Sequence, residues 1–156
     1  MKIEEIKEVV LSIDSNASFK EDKDQRLWIS VSPDKLRDVL KSLKDKGYDH
    51  LSAISGVDYP QNKKMELLYH LMHSSPRENP YLTIRTEISR DNPEIPSIFD
   101  IFAAALIYES EVFDLLGIKF VGHPTLGRLF LPEDTPKDLY PLRKDFKNNV
   151  YEVTRK

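Results

Sequence analysis

Residues 97–116 constrain the fold more than any other stretch, because an acid sits in the middle of a helix that is apolar on two sides. Ser97 follows Pro96 as a good N-cap, Asp100 stands three residues on in capping-box position, and Gly117 is a natural stop. At 100° per residue, Ile98, Ile101, Phe102, Ala105, Val112, Phe113 and Leu116 share one face, with Glu109 at its centre. The opposite side carries Ala103, Ala104, Ile107 and Leu115. Such a helix is either the central helix of a core or is covered on its second face by another chain.

An unpaired carboxylate among aliphatic side chains costs several kcal/mol or is neutralised by a shift in its pKa. The usual remedy is an arginine, and Arg128 or Arg143 is expected to pair with Glu109 and tether the tail to the helix. That structural role outweighs a catalytic one as a raised-pKa acid. From Gly117 to Lys156 the chain is aperiodic, with Pro124, Pro132, Pro136 and Pro141 among clusters of charge. Irregular stretches this long are functional or disordered. The density of anchors, among them Leu126, Leu129, Phe130, Tyr140, Leu142 and Phe146, argues for an extended arm that wraps a partner. The chain thus divides into an α+β domain over 1–116 and an arm over 117–156.

Upstream, Ile3, Ile6, Val9, Val10 and Ile13 predict a helix over 2–13. Arg26–Ser32 reads as a strand, followed by a helix with Ser32 as N-cap, Pro33 in its first turn, a Leu36/Val39/Leu40/Leu43 stripe and a stop at Gly47. Strands follow over 49–58, 64–73 and 81–89. In the last, Leu82, Ile84 and Ile88 alternate with Thr83, Arg85 and Glu87, which predicts one wet face. The order implies an α+β fold, a small mixed or antiparallel sheet with helices packed on one face.

The formal charge of -3 is too mild for a nucleic-acid groove. With no cysteine there is no disulfide and no thiolate site for a metal or cluster, as suits a reducing compartment. Acids interrupt the apolar pairs of the first residues, unlike a signal peptide, and the longest apolar run, Ile101–Tyr108, is far short of a membrane span. His70 and His73 fall on a strand and face opposite sides, so no metal site is expected there. His123, between Gly122 and Pro124, is fixed in a turn. No nucleophile and orienting acid accompany it, so backbone bonding is its expected role. Arg128, Arg143 and Lys144 could hold an anion, but the interleaved acids point instead to a solvated or ion-paired face.

Three motifs occur in order: Glu109-Ser110-Glu111-Val112-Phe113-Asp114-Leu115-Leu116-Gly117-Ile118, then Gly122-His123-Pro124 with Leu126 and Arg128, then Pro141-Leu142-Arg143-Lys144-Asp145-Phe146. Together with Ser52–Tyr59 and Tyr69-His70 upstream, they resemble the 30-kDa subunit family of respiratory complex I, over roughly residues 30–147. The same family occurs in energy-converting membrane-bound hydrogenases. Ser110 stands where the family has arginine, Gly127 replaces the first arginine of a pair, and Ile107 stands where quinone-linked members carry tryptophan. Leu131-Pro132-Glu133-Asp134 is similar to the hydrogenase- and ferredoxin-linked branch.

The resemblance implies a subunit with no catalytic, cofactor or metal residues of its own. Glu109, Glu111, Asp114, Gly117, Gly122, His123, Pro124, Arg128, Arg143, Lys144 and Asp145 are then structural or interface residues. It further implies a peripheral subunit, held at the cytoplasmic face of the membrane by its partners, with its arm laid across a hydrogenase-like large subunit. The other partners are small iron–sulfur subunits and membrane subunits. Iron–sulfur clusters, and a nickel–iron or quinone site, belong to those chains. The competing readings are the C subunit of a quinone-reducing complex, a stand-alone enzyme using Glu109 or His123, and a generic adaptor.

Overall fold

The computed structural model describes residues 1–22 and 25–147. The first helix, α1 (Ile3–Ile13), buries Ile6 and Val10 and closes on Asp14. The Asp14 carboxylate accepts the Ser32 and Asn16 amides at 2.7 and 3.0 Å, tying the end of α1 to the turn that leads into the second helix. Five strands form one sheet: β1 (Ser18–Glu21), β2 (Arg26–Ser30), β3 (His50–Tyr59), β4 (Lys64–Met72) and β5 (Tyr81–Ser89), in the order β1-β2-β5-β4-β3. Of its pairings, that of β2 with β5 is parallel and the others are antiparallel. The sheet is therefore mixed, within the expected α+β fold.

One face of this sheet carries Leu27, Ile29, Ile54, Leu67, Tyr69, Leu71, Leu82 and Ile84, all buried. Against it pack α1, α2 (Leu36–Asp45) and α3 (Ala105–Leu116) as one core. At Gly56 a side chain would lie 2.4 Å from Leu116, so α3 crosses β3 where the strand has no Cβ. The other face holds rows such as Lys20, Trp28, Thr83, His70 and Ala53, and is not covered by any described element.

Several expectations need correction. The helix over 97–116 begins only at Ala105, because tertiary contacts claim its first turn. Residues 94–96 form β6 (Glu94–Pro96), which pairs in parallel with β7 (Lys119–Val121), and the Ser97 amide extends that pairing to the Val121 carbonyl at 2.8 Å. Asp100 is bound to Arg37 of α2 at 2.8 and 2.6 Å rather than capping a helix. The second helix also starts late, at Leu36, since Ser32–Lys35 close a turn first. Thr83 is not wet: it lies between Trp28 and His70 at 1% exposure. The strand β1 falls in a polar stretch that reads as coil. Its four residues bury only Phe19 in part, too little to leave a periodic signal.

Candidate functional site

The core ends, and the irregular chain begins, at β7. Ile118 and Phe120 are buried, and Gly122 takes φ 88 in the turn that leads away. His123 sits in that turn. Its Nδ1 accepts the Thr125 amide at 3.1 Å, so Nε2 carries the proton and donates to the Leu106 carbonyl at 2.9 Å, with Ser110 Oγ at 3.4 Å. The ring clamps the turn to the first part of α3. Pro124 is exposed beside it.

From there the chain returns across the C-terminal end of α3, and Asp114 receives it. This carboxylate is fully buried. Its Oδ2 accepts the amides of Leu129, Phe130 and Leu131 at 3.2, 2.7 and 2.9 Å. Its Oδ1 pairs with Arg128 at 3.2 Å. Burial pushes the Asp114 pKa up, but the three amides and the guanidinium outweigh it and hold the carboxyl below its ordinary value. Arg128 is used several times over: it also donates to the carbonyls of Asp114, Pro136 and Leu139 at 2.8, 2.6 and 2.9 Å. One arginine thus ties the helix to both limbs of the following loop.

Tyr140 is the next fastening. Its ring lies beneath the guanidinium of Arg128 at 5.2 Å and that of Arg143 at 4.9 Å. It packs on Gly117, which ends α3 at φ 76. A side chain on Gly117 would meet the ring at 2.6 Å. Arg143 Nε donates to the Leu116 carbonyl at 2.8 Å and the Leu142 amide to the Leu115 carbonyl at 3.0 Å, so the open carbonyls at the helix end are used by the arm.

A second buried acid completes the strap. Asp58, at the end of β3, accepts Arg90 at 2.6 and 3.1 Å and the Lys144 amide at 2.9 Å. Arg90 also reaches Asp145 at 2.9 Å. Burial pushes the Asp58 pKa up, but Arg90, the Lys144 amide and Arg143 hold it below the ordinary value. The side chains of Glu111 and Lys144 are exposed, and Leu129, Phe130 and Leu142 show 48%, 59% and 56% of their surface.

Glu109 is not the tether. It pairs with neither Arg128 nor Arg143, because Asp114 further along the helix occupies the first and the Leu116 carbonyl the second. Its Oε2 accepts the Ser97 hydroxyl at 2.6 Å and its Oε1 the Ile98 amide at 2.8 Å, so it fastens the segment before α3. Three further residues fasten the arm that the motifs alone do not single out: Asp58, Arg90 and Tyr140. The signal for Asp58 lies in parity: with Ile54 and Gly56 it falls on the core side of β3, where an acid requires a partner. Among the described residues, no group of three or more His, Asp or Glu is arranged to hold a metal, and the hydroxyl near the His123 ring, Ser110 Oγ, donates to the same Leu106 carbonyl that Nε2 does. The chemistry of the site is that of a strap.

Residues 29–152 match the family model described as the respiratory-chain NADH dehydrogenase 30 Kd subunit. The C subunit of the NADH-quinone oxidoreductase of Moorella thermoacetica is 38% identical over 118 residues, 75% of this chain and 77% of that protein. The C subunit of the F(420)H(2) dehydrogenase of Methanosarcina mazei is 39% identical over 123 residues, 78% of this chain and 76% of that one. Among solved structures, a chain of the membrane-bound sulfane sulfur reductase, an archaeal respiratory membrane complex, superposes with a TM-score of 0.83 at 32% identity. That match covers 96% of this chain and 88% of the other.

Proposed function

The chain belongs to the 30-kDa subunit family of the respiratory-chain NADH dehydrogenase, and from that premise we propose that it is a non-catalytic docking subunit of a membrane-bound, ion-translocating redox complex. It works at the periphery of that complex, on the cytoplasmic side. No helix among the described residues is long and apolar enough to cross a membrane, so in this reading partner chains provide the anchorage. The arm is laid on a hydrogenase-like large subunit. Iron–sulfur clusters, and the nickel–iron or other terminal site, reside in partners, with ferredoxin-linked chemistry producing hydrogen or reducing sulfur. The similarity over 96% of the chain to a chain of the sulfane sulfur reductase supports this branch. The identity with the C subunits of NADH-quinone oxidoreductases favours a second reading, service in a quinone-reducing complex.

The observation that carries the proposal is the arm itself. It is bonded to its own body at Asp114 and Asp58, yet presents Leu129, Phe130 and Leu142 outward. Large apolar residues shown by a fixed backbone suit the anchors of an interface, since little entropy remains to be lost on docking.

The test is purification from the native host in mild detergent through a tag on this chain. A hydrogenase-like large subunit, iron–sulfur proteins and membrane subunits should co-elute in fixed ratio, and the metal content of the large subunit separates the two branches. A chain that emerges alone refutes the docking role. The triple change of Leu129, Phe130 and Leu142 to serine should leave the chain folded and abolish co-elution.

A further inference from the structure

Glu109 is a buried carboxylate for which the strap has no use. It is fully enclosed, and its two direct partners, the Ser97 hydroxyl and the Ile98 amide, are neutral. The charged and titratable groups that face it are few. From β4 comes Tyr69, whose buried hydroxyl has no partner among the described residues. From α2 comes Arg37, already bound to Asp100 and to the Ser97 carbonyl. From the turn after β7 comes His123, committed to backbone on both ring nitrogens. On α3 itself, Glu111 is exposed and Asp114 is held by the arm. Among the described residues, then, no full cation is in direct contact with the carboxylate to favour its charge.

The same pocket accepts a protonated carboxyl. Ser97 Oγ already receives the Phe99 amide at 3.2 Å and has a second lone pair. When Glu109 carries a proton on Oε2, that O–H donates to Ser97 Oγ over the same 2.6 Å, while Oε1 keeps the Ile98 amide. The hydrogen bond between the two oxygens reverses, and the Ser97 hydroxyl hydrogen rotates out of the line between them. Loss of the proton instead places a full charge in an apolar enclosure with two neutral donors.

We infer that Glu109 is a proton-dependent latch on the 97–100 turn, firm when protonated and looser when ionised. That turn carries Phe99 to the surface beside Val121, so the latch sets how firmly this apolar edge is presented. Burial, only partly offset by the Ile98 amide, the Ser97 hydroxyl and the fields of His123 and Arg37, pushes the Glu109 pKa above its ordinary value. The sign follows: the latch is fully engaged below the ordinary carboxyl range and is lost as pH rises through the raised value.

The test is a carbon-13 NMR titration of the glutamate carboxyls of the full chain, with Glu109 assigned from Glu109→Gln, alongside hydrogen-exchange protection of the Ile98 amide. The Glu109 midpoint should lie above the ordinary value of 4.5. Protection of Ile98 should fall across the window from there to the midpoint, about tenfold for each pH unit between the two. In Glu109→Gln the protection should be flat with pH. A midpoint at or below the ordinary value, flat protection in the wild type, or the same slope in the glutamine variant overturns the latch. Should the variant fail to fold, the wild-type titration and the Ile98 protection decide between these outcomes.

Discussion

Asp114 and Arg128 show how much one residue pair can organise. Asp114 is fully buried and Arg128 mostly so, with side-chain exposures of 0% and 12%, and each has several partners beyond the other. Removing one member of such a pair leaves an uncompensated charge, typically at a cost of about 3–5 kcal/mol. Asp114→Asn keeps the shape and loses the charge, so urea denaturation should show a loss at the lower end of that range, about 3 kcal/mol. Acid should act through the same groups. Asp114 and Asp58 have depressed pKa values in the fold, so their contribution is complete above the unfolded value near 3.8 and is lost as pH falls through the folded values. Stability measured between about pH 6 and about pH 2 should therefore drop in its acid limb. The double variant Asp58→Asn/Asp114→Asn should be weaker throughout and flatter across that limb.

The element that gathers these contacts is the end of α3, where Gly117 does two jobs. It adopts a left-handed φ, which costs other residues about 1–2 kcal/mol, and it leaves room for Tyr140. Gly122 has a comparable φ of 88 and no atom within 4 Å of where its Cβ would stand, so it isolates the first cost. Gly122→Ala should destabilise by about 1 kcal/mol, while Gly117→Ala should cost about 1–3 kcal/mol more through the displaced ring. Equal losses in thermal or urea melts would show that Tyr140 moves aside freely. Elements of this length are legible from periodicity: α1 and β3 to β5 fall within about two residues of the bounds that apolar spacing predicts. The parallel pairing of β2 with β5 is not, since register between distant strands leaves no local trace. Nor are β6 and β7, three residues each. The first turn of the long helix departs from its pattern because Arg37 and Glu109, distant in sequence, claim the groups that would have capped it. The motifs point to a tether between an acid of this helix and an arginine of the arm, but the acid is Asp114 and not Glu109. Both lie on buried positions of one helix, and spacing alone does not say which of two acids an arginine will reach.

At the scale of the whole molecule the issue is whether the arm takes its form from its own body or from a partner. An arm ordered only by docking would have its polar backbone open to water in the free chain, with every basic residue equally open to protease. Here Arg128 is enclosed by carbonyls and Asp114, Arg143 is half-buried against Leu116, and Lys137 is exposed on the loop between them. Limited trypsin digestion of the isolated chain should therefore cut after Lys137 well before it cuts after Arg128 or Arg143. Cleavage after Arg128 and Arg143 should be slower by at least an order of magnitude, because it requires the strap to open. In Asp114→Asn the Arg128 site should approach the rate of Lys137, while Arg143, still backed by Asp58 and Arg90, should stay slow. Simultaneous cleavage at all three sites in the wild type would mean that the arm is unfastened until it docks. The order of cuts thus reads, in the free chain, whether Leu129, Phe130 and Leu142 wait on a fixed frame or are set in place by whatever they meet.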